Sequence, residues 1–272
     1  MQHNHSIRLE DLLSQRIVVL DGAMGSMIYE LGLQEKDVRG ERFADHRTEL
    51  KNCTDVFSLT NPEKIIEIHR QYLAAGADII QTNTFNASSV GLADFDFSLE
   101  VVREINLAAV ANARRAAAEF SEKTPDKPRF VAGSIGPTSQ QTAISTKVED
   151  PAYRGITFQE MEESYYDQVS ALVEGGVDVL FPETVIDTLN LKACLFAISR
   201  YFDLAGRTIP VMVSGTFDAS GATFVSGQVI EAFWNSISHF PLLSVGVNCA
   251  LGPDIMRPHI EELSQVATSY IS

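Results

Sequence analysis

The chain has 272 residues, of which 45% are hydrophobic and 21% are charged, and its formal net charge at pH 7 is −15. Nucleic acid and anionic membrane surfaces would repel such a chain, so we expect neither as a partner. The sequence contains no signal-peptide pattern and no apolar run of the roughly 18 residues that a membrane span needs. Three scattered cysteines, Cys53, Cys194 and Cys249, do not make a disulfide framework and favour a cytoplasmic protein.

Six short β-branched runs, each followed by a helical pattern, predict parallel strands joined by helices. They do not alternate apolar and polar residues, which is typical of strands buried on both faces. The runs are Ile17–Leu20, Asp78–Ile80, Phe130–Ala132, Val177–Phe181, Pro210–Val213 and Leu243–Val247.

Two helical patterns between these runs are well marked. One begins at Asn61, a candidate N-cap, with Pro62 at the first helical position. The other is the alanine-rich stretch SLEVVREINLAAVANARRAAAEF, whose apolar face carries Leu99, Val102, Ile105 and Ala109.

A local repeat supports the same architecture. AAGADIIQT (residues 74–82) and EGGVDVLFPET (174–184) both contain a helix end, a glycine, an aspartate and a buried run. A glycine after a helix end supplies a left-handed cap before the next strand. The repeat therefore indicates βα units rather than a β-sandwich.

This pattern predicts a (β/α)8 TIM-type barrel of the α/β class. Two polar segments, residues 31–60 and 137–156, are predicted to be long loops, and in a barrel the loops after the strands build the active site. A doubly wound open sheet is the alternative, but DGAMGSM lacks the G-x-G-x-x-G spacing of a phosphate loop. We divide the chain into an N-terminal tail, residues 1–13, and one barrel domain, residues 14–272.

The residues at the predicted strand ends are two carboxylates, several hydroxyls, an amide and a thiol, with no lysine, arginine or histidine. This set favours a small cationic or zwitterionic ligand, with Asp21 and Glu183 facing an ammonium group. Backbone N–H groups after Gly22 would donate hydrogen bonds to a carboxylate. Asp21 as a turn former and Glu183 in a solvated ion pair are the alternatives.

The cysteines have different expected roles. Cys194 lies in a helical stretch and is expected in the core, and Cys53 is expected to be an ordinary loop thiol. Cys249 taken alone fits a core role as well as a functional one. Its position after Asn248, at a strand end among polar residues, favours function.

Six stretches, in order, carry a family resemblance: VVLDGAMGSMI, RGERFADH, AAGADIIQTNTFNAS, VAGSIGPT, ETVIDTLNLKA and GVNCALGPD. They resemble the homocysteine S-methyltransferase family, and within it the homocysteine-binding module of cobalamin-dependent methionine synthase. The resemblance covers about residues 14 to 270. The stretch RGERFADH favours the cobalamin-dependent branch over the betaine-dependent one.

The resemblance implies a (β/α)8 barrel and a homocysteine site. One group of residues would hold the amino-acid end of homocysteine, and another would lie near its sulfur. The first group is Asp21, Gly22 and Glu183, the second is Thr82 and Asn248, and Ala23 is also assigned to substrate binding.

The resemblance also implies zinc, with Cys249 as a ligand, because a coordinated thiol loses its proton and the thiolate is the nucleophile. The methyl group would come from methylcobalamin on a separate module, which a folate-binding module recharges. The other family ligands, an adjacent Cys-Cys pair, do not occur in this sequence. With TSYIS (268–272) opening a seventh strand, we expect a barrel without its last one or two βα units.

Three explanations of the missing cysteine pair stay open: the chain is a fragment of a longer protein, one part of a split enzyme, or a degenerate form. Two alternative functions also stay open. The chain is a non-catalytic barrel that binds an amino acid or another chain, or it is a homocysteine methyltransferase that uses betaine or S-methylmethionine as the methyl donor.

Overall fold

The computed structural model describes residues 8–272, so the first seven residues of the predicted tail, with His3 and His5, lie outside the described part. The described residues form two compact units. The first unit contains the described part of Met1–Ala87, with Leu92–Ser134 and Ala171–Val179, and the second contains Ser88–Gly91, Ile135–Ser170 and Leu180–Ser272. The single barrel domain over residues 14–272 stays a prediction.

Helices and short strands alternate along most of the described chain. The helices are α1 (Leu9–Leu13), α2 (Met24–Glu30), α3 (Glu35–Arg39), α4 (Phe57–Thr60), α5 (Pro62–Ala75), α6 (Leu99–Lys123), α7 (Phe158–Gly175), α8 (Thr188–Ala205), α9 (Ile230–Ile237) and α10 (Pro253–Val266). The strands are β1 (Ile79–Gln81), β2 (Phe130–Ile135), β3 (Val179–Pro182), β4 (Met212–Gly215), β5 (Ser244–Val247) and β6 (Tyr270–Ile271).

The strands of the first unit are parallel. Strand β1 pairs with β2, with Ile79 opposite Phe130. The predicted strand Ile17–Leu20 makes only a single parallel bridge, between Leu20 and Ile79. Ile17 is 87% exposed, so this run is not the buried strand that its apolar composition predicts.

Two aspartates account for the repeat seen in the sequence. The carboxylate of Asp78, just before β1, accepts a hydrogen bond from the backbone N–H of Val19 at 2.9 Å, and the N–H of Asp78 donates to the Val19 carbonyl at 2.8 Å. Asp178, just before β3, makes the same two bonds with Val131, each at 2.8 Å. Each aspartate joins the start of its strand to the preceding parallel segment, and we call this arrangement an aspartate clip.

An arginine neutralises each aspartate clip. Arg16 donates to both carboxylate oxygens of Asp78, at 2.8 and 3.0 Å, and Arg114 donates to Asp178 at 2.7 Å. The Asp78 side chain is only 1% exposed. Burial acts to raise the pKa of Asp78, but the hydrogen bonds from Arg16 and Val19 outweigh it and lower that pKa below its ordinary value. The first clip therefore holds an ionised carboxylate inside the unit.

Helices α5 and α6 pack together in the core of the first unit. Gly76, after α5, has a φ of 116°, which is the left-handed cap that the sequence predicts. Asn61 is the N-cap residue of α5 and Pro62 its first residue, as predicted, but the Asn61 side chain makes no capping hydrogen bond and donates to the Asp37 carbonyl at 2.7 Å. On α6, the predicted apolar face is buried except at its first residue, Leu99, which is 64% exposed.

The segment 31–60 is more ordered than the predicted loop. It contains α3, α4 and one turn of 3-10 helix. The guanidinium of Arg39 donates to the Glu35 carboxylate at 2.5 Å and to the Thr48 carbonyl at 2.9 Å, which fixes the irregular stretch that follows α3. Cys53 is 1% exposed and belongs to the hydrophobic core, so the prediction of a loop thiol was wrong.

The second unit is built in the same way. Its strands lie in the order β4-β5-β6, all parallel, with Met212 and Tyr270 on either side of Ser244. Leu180 of β3 makes a parallel bridge to Val211. Residues 137–156 contain no helix or strand, as predicted, and Cys194 is buried as predicted.

These observations establish a mixed α/β fold with parallel strands. The strands of residues 8–272 do not by themselves show closure into a barrel, so the (β/α)8 architecture and its missing last units stay predictions. None of the helices in residues 8–272 is both long and apolar enough to cross a membrane.

Asp78→Ala should lower the free energy of unfolding by about 3–5 kcal/mol, because it leaves Arg16 and the Val19 N–H without their buried partner. The measurement is equilibrium unfolding in urea. Asp203→Ala is the matched control, since Asp203 is exposed. A loss for Asp78→Ala no larger than that of the control would show that the clip does not stabilise the fold.

Candidate functional site

Asp21 lies directly after the bridge at Leu20, at the carboxyl end of the first parallel segment. Its two carboxylate oxygens accept hydrogen bonds from the backbone N–H and the side-chain amide of Gln81, both at 2.9 Å. Burial raises the pKa of Asp21 to about 7, although the bonds from Gln81 act against this rise. A carboxylate has about four lone-pair sites, so Asp21 can still accept hydrogen bonds from a cationic ligand.

Gly22 and Ala23 follow Asp21 beneath the ring of Tyr72. A Cβ at Gly22 would lie 3.0 Å from the Tyr72 ring, so a larger residue would displace that ring. The Tyr72 hydroxyl donates to the Ala23 carbonyl at 3.1 Å. This contact fixes the turn that leads into α2, and both Gly22 and Ala23 are exposed.

Thr82 is buried at the end of β1, and its hydroxyl joins β1 to β2. The Thr82 Oγ accepts from the Ser134 N–H at 3.1 Å and lies 2.6 Å from the Thr84 Oγ, which itself donates to the Ser134 carbonyl at 2.7 Å. Because Thr84 donates its proton to that carbonyl, Thr82 is the donor in the bond between the two hydroxyls. The Thr82 hydroxyl therefore has one lone pair left for a ligand.

In the second unit, Asn248 is the centre of a polar group at the end of β5. Its side-chain oxygen accepts from the Thr184 N–H at 3.1 Å and from the Ser214 hydroxyl at 2.9 Å. Its side-chain nitrogen donates to the Thr184 hydroxyl at 2.8 Å and approaches a Glu183 oxygen at 3.5 Å. We call Glu183, Thr184, Ser214 and Asn248 the Asn248 group; its hydrogen bonds hold the ends of β3, β4 and β5 together.

The thiol of Cys249 is exposed directly after the Asn248 group. Cys249 and Ala250 both have left-handed backbones, with φ of 63° and 57°, and Thr184 has a φ of 56°. Left-handed conformations cost non-glycine residues about 1–2 kcal/mol each. Such strain persists where the surrounding structure enforces it, and it is concentrated at functional sites.

The described residues do not form a zinc site. Zinc in proteins takes three or four Cys, His or carboxylate ligands. No group of three or more His, Cys, Asp or Glu residues within 8–272 is arranged to hold a metal ion. Cys53 and Cys194 are buried elsewhere, so Cys249 is a single exposed thiol.

Each predicted site residue lies at a strand end, but the structure shows them as two sets. Asp21, Gly22, Ala23 and Thr82 lie in the first unit, and Glu183, Asn248 and Cys249 lie in the second. Gln81, Thr184 and Ser214 are hydrogen-bond partners at these strand ends to which the sequence pattern assigned no role. Tyr72 was not predicted, because nothing in the sequence distinguishes this tyrosine from any other in an amphipathic helix.

Comparison with known proteins identifies the family. The model of the family described as homocysteine S-methyltransferase matches residues 18–272. The metallated form of the homocysteine methyltransferase MmuM from Escherichia coli is similar in fold, with a TM-score of 0.77 and 21% identity over 97% of this chain and 85% of that chain. The apo form of the same enzyme gives a TM-score of 0.71 and 20% identity over 96% and 82% of the two chains.

Asn248→Ala should lower the free energy of unfolding by about 1–3 kcal/mol, because it leaves the partly buried polar partners of the amide unpaired. Amide hydrogen exchange at Thr184 should quicken in the same variant. Asn235→Ala serves as the control, since Asn235 is exposed on α9. Unchanged exchange at Thr184 would mean that the Asn248 side chain does not hold this turn.

Proposed function

Because the chain belongs to the homocysteine S-methyltransferase family, we propose that it binds homocysteine and takes part in transfer of a methyl group to the homocysteine sulfur, which forms methionine. The observation that carries the proposal is the chemistry of the strand ends. Asp21 in the first unit and Glu183 in the second each lie at a strand end. The other strand-end residues include hydroxyl and amide side chains but no lysine, arginine or histidine. These residue types suit the ammonium group of an amino acid.

In the proposed complex, Asp21 accepts hydrogen bonds from the ammonium group. Gln81 donates two hydrogen bonds to the Asp21 carboxylate, so the orientation of that carboxylate is set before the ligand binds. Positive charge close to Asp21 stabilises its ionised form and lowers its raised pKa. The backbone N–H groups of the exposed residues Gly22 and Ala23 are the donors that we assign to the substrate carboxylate.

Glu183 is the second carboxylate assigned to the ammonium group. The Asn248 side chain lies 3.5 Å from its Oε2 and is fixed by three closer bonds to Thr184 and Ser214. Asn248 therefore orients Glu183, and in the proposed complex it lies near the substrate sulfur. Thr82, with one free lone pair on its hydroxyl, is assigned to the same end of the substrate.

The methyl acceptor must be a thiolate, since the thiolate is the nucleophilic form of the thiol. The family resemblance assigns the activation of this thiol to zinc and names Cys249 as a ligand. A single exposed thiol does not complete a zinc site, so we derive no step through the metal. We propose Cys249 as the one zinc ligand that the described residues contribute.

The methyl donor is proposed from the family resemblance alone. The stretch RGERFADH supports methylcobalamin on a separate module, with a folate-binding module to recharge it, over betaine or S-methylmethionine. Activity with betaine or S-methylmethionine in the absence of any cobalamin module would overturn this part. A cytoplasmic location is proposed with it, from the cysteine usage.

A second candidate function has one observation in its favour. Because the described residues hold no metal-binding group, the chain also suits a protein that binds an amino acid without catalysis. Homocysteine affinity that is the same with and without zinc, and in Cys249→Ser, would support this reading over the enzyme.

Glu183→Gln should weaken homocysteine binding by about 1.5–3 kcal/mol, the contribution of a hydrogen bond to a charged group. This corresponds to a rise in Kd of about tenfold to over a hundredfold, measured by titration calorimetry. Glu231→Gln changes an exposed carboxylate on α9 and should leave Kd unchanged. Equal affinities in the two variants would remove Glu183 from the site.

Zinc content of the purified chain tests the role of Cys249. If Cys249 is a ligand, the wild type carries bound zinc, Cys249→Ser loses it, and Cys194→Ala, which changes a buried cysteine, retains it. Elemental analysis gives the metal content, and circular dichroism shows that each variant is folded. A wild type without zinc would overturn Cys249 as a zinc ligand in this chain.

A further inference from the structure

A cluster of cations surrounds one carboxylate at the amino-terminal ends of the strands of the first unit. Arg16 and Asp78 form the ion pair of the first aspartate clip, and Lys127 Nζ lies 3.5 Å from an Asp78 oxygen. Arg129, just before β2, lies beside Asp78, because the next residue, Phe130, donates its backbone N–H to the Asp78 carbonyl at 2.8 Å. The charges of Asp78 and Arg16 both act on Arg129. Three cations therefore share a single carboxylate, in a chain whose net charge is −15.

Arg129 is the residue of this cluster that has no hydrogen-bond partner for its charge. It is 4% exposed, and neither its Nε nor its Nη1 donates to any residue within 8–272. Residues 1–7 contain no aspartate or glutamate, so the undescribed part of the chain has no acidic side chain to offer. Burial lowers the pKa of Arg129, with Asp78 opposing and Arg16 adding to this effect, but a guanidinium stays charged at neutral pH.

A buried charge without a partner is strongly unfavourable, so side chains of this kind are normally paired with an anion. The second aspartate clip gives the comparison within the same unit. There one arginine, Arg114, pairs with Asp178 and also donates to the Gly176 carbonyl. Of the two clips, the one at Asp78 is therefore the one with more cations than carboxylates and with unused N–H groups.

We propose that Arg16, Lys127 and Arg129 form a binding site for a small oxyanion, a phosphate or a carboxylate, which accepts hydrogen bonds from the free N–H groups of Arg129. Guanidinium groups bind both kinds of anion through several N–H donors at once. The side chains of Arg16 and Lys127 are 38% and 36% exposed, so the cluster is open to solvent beside them. Bound anion stabilises the amino-terminal edge of the first unit.

This site is separate from the residues assigned to homocysteine in the same unit. Asp78 and Arg129 lie before β1 and β2, whereas Thr82 follows β1 at its other end. A strand rises about 3.3 Å per residue, so the two ends of β1 are on the order of 10 Å apart. The proposal therefore holds whether or not the chain methylates homocysteine.

The test is thermal unfolding in sodium chloride and in sodium phosphate at equal ionic strength. Phosphate should raise the Tm of the wild type progressively with concentration, because a ligand of the native state stabilises it. Arg129→Met should lose the part of this rise that is specific to the site, while Arg47→Met, which removes an exposed arginine of the same unit, should keep it. An equal rise in all three proteins would be a general effect of phosphate on stability and would overturn the proposal.

A direct measurement covers the case in which Arg129→Met does not fold. Inorganic phosphate is titrated into the wild type and into Arg129→Lys and followed by phosphorus NMR. Saturable binding that weakens at least about tenfold in Arg129→Lys supports the site, since lysine keeps the charge but not the planar group of donors. Binding that does not saturate, or is equal in the two proteins, overturns it. A parallel unfolding series in acetate shows whether a carboxylate serves as well as phosphate.

Discussion

The fold of the first unit depends on a buried, ionised carboxylate at the start of a strand. Asp78 has a backbone N–H and an arginine as partners, and it is the side chain through which Val19 and β1 are held side by side. Parallel strands are joined by long connections, so their register cannot be set by a tight turn as in a hairpin. A carboxylate that binds the backbone of the neighbouring segment supplies the missing constraint. Asp178 makes the same contact with Val131. These registers fix which residues lie at the strand ends, where the candidate site residues are.

Much of the fold could be predicted because the strands are short, apolar and followed by helices. The positions of β1 to β5, the glycine cap of α5 and the burial of Cys194 were predicted from local pattern alone. The failures have a common physical reason, which is that burial is decided by distant partners. Ile17 has the composition of a core residue but is exposed, and Cys53 stands in a polar stretch but belongs to the core.

The candidate site was likewise predicted in part. Strand ends can be recognised in the sequence, so Asp21, Thr82, Glu183 and Asn248 could be predicted as site residues. Their hydrogen-bond partners could not, because Gln81 and Ser214 reach them only through the pairing of strands. The structure also shows how much hydrogen-bonding capacity these residues have left for a ligand. The amide of Asn248 is already fully engaged, and Thr82 has most of its hydrogen-bonding capacity in use, so both suit the support of neighbouring groups.

The left-handed turn at Cys249 and Ala250 has a consequence for how this protein tolerates change. Glycine adopts such a backbone without strain, so replacing either residue with glycine would relieve the native state, while extra freedom in the unfolded chain offsets part of the gain. Stability alone would therefore favour glycine at Cys249, whereas the proposed role as a metal ligand requires its thiol. Under that proposal, a single substitution at this position would raise stability and abolish function together.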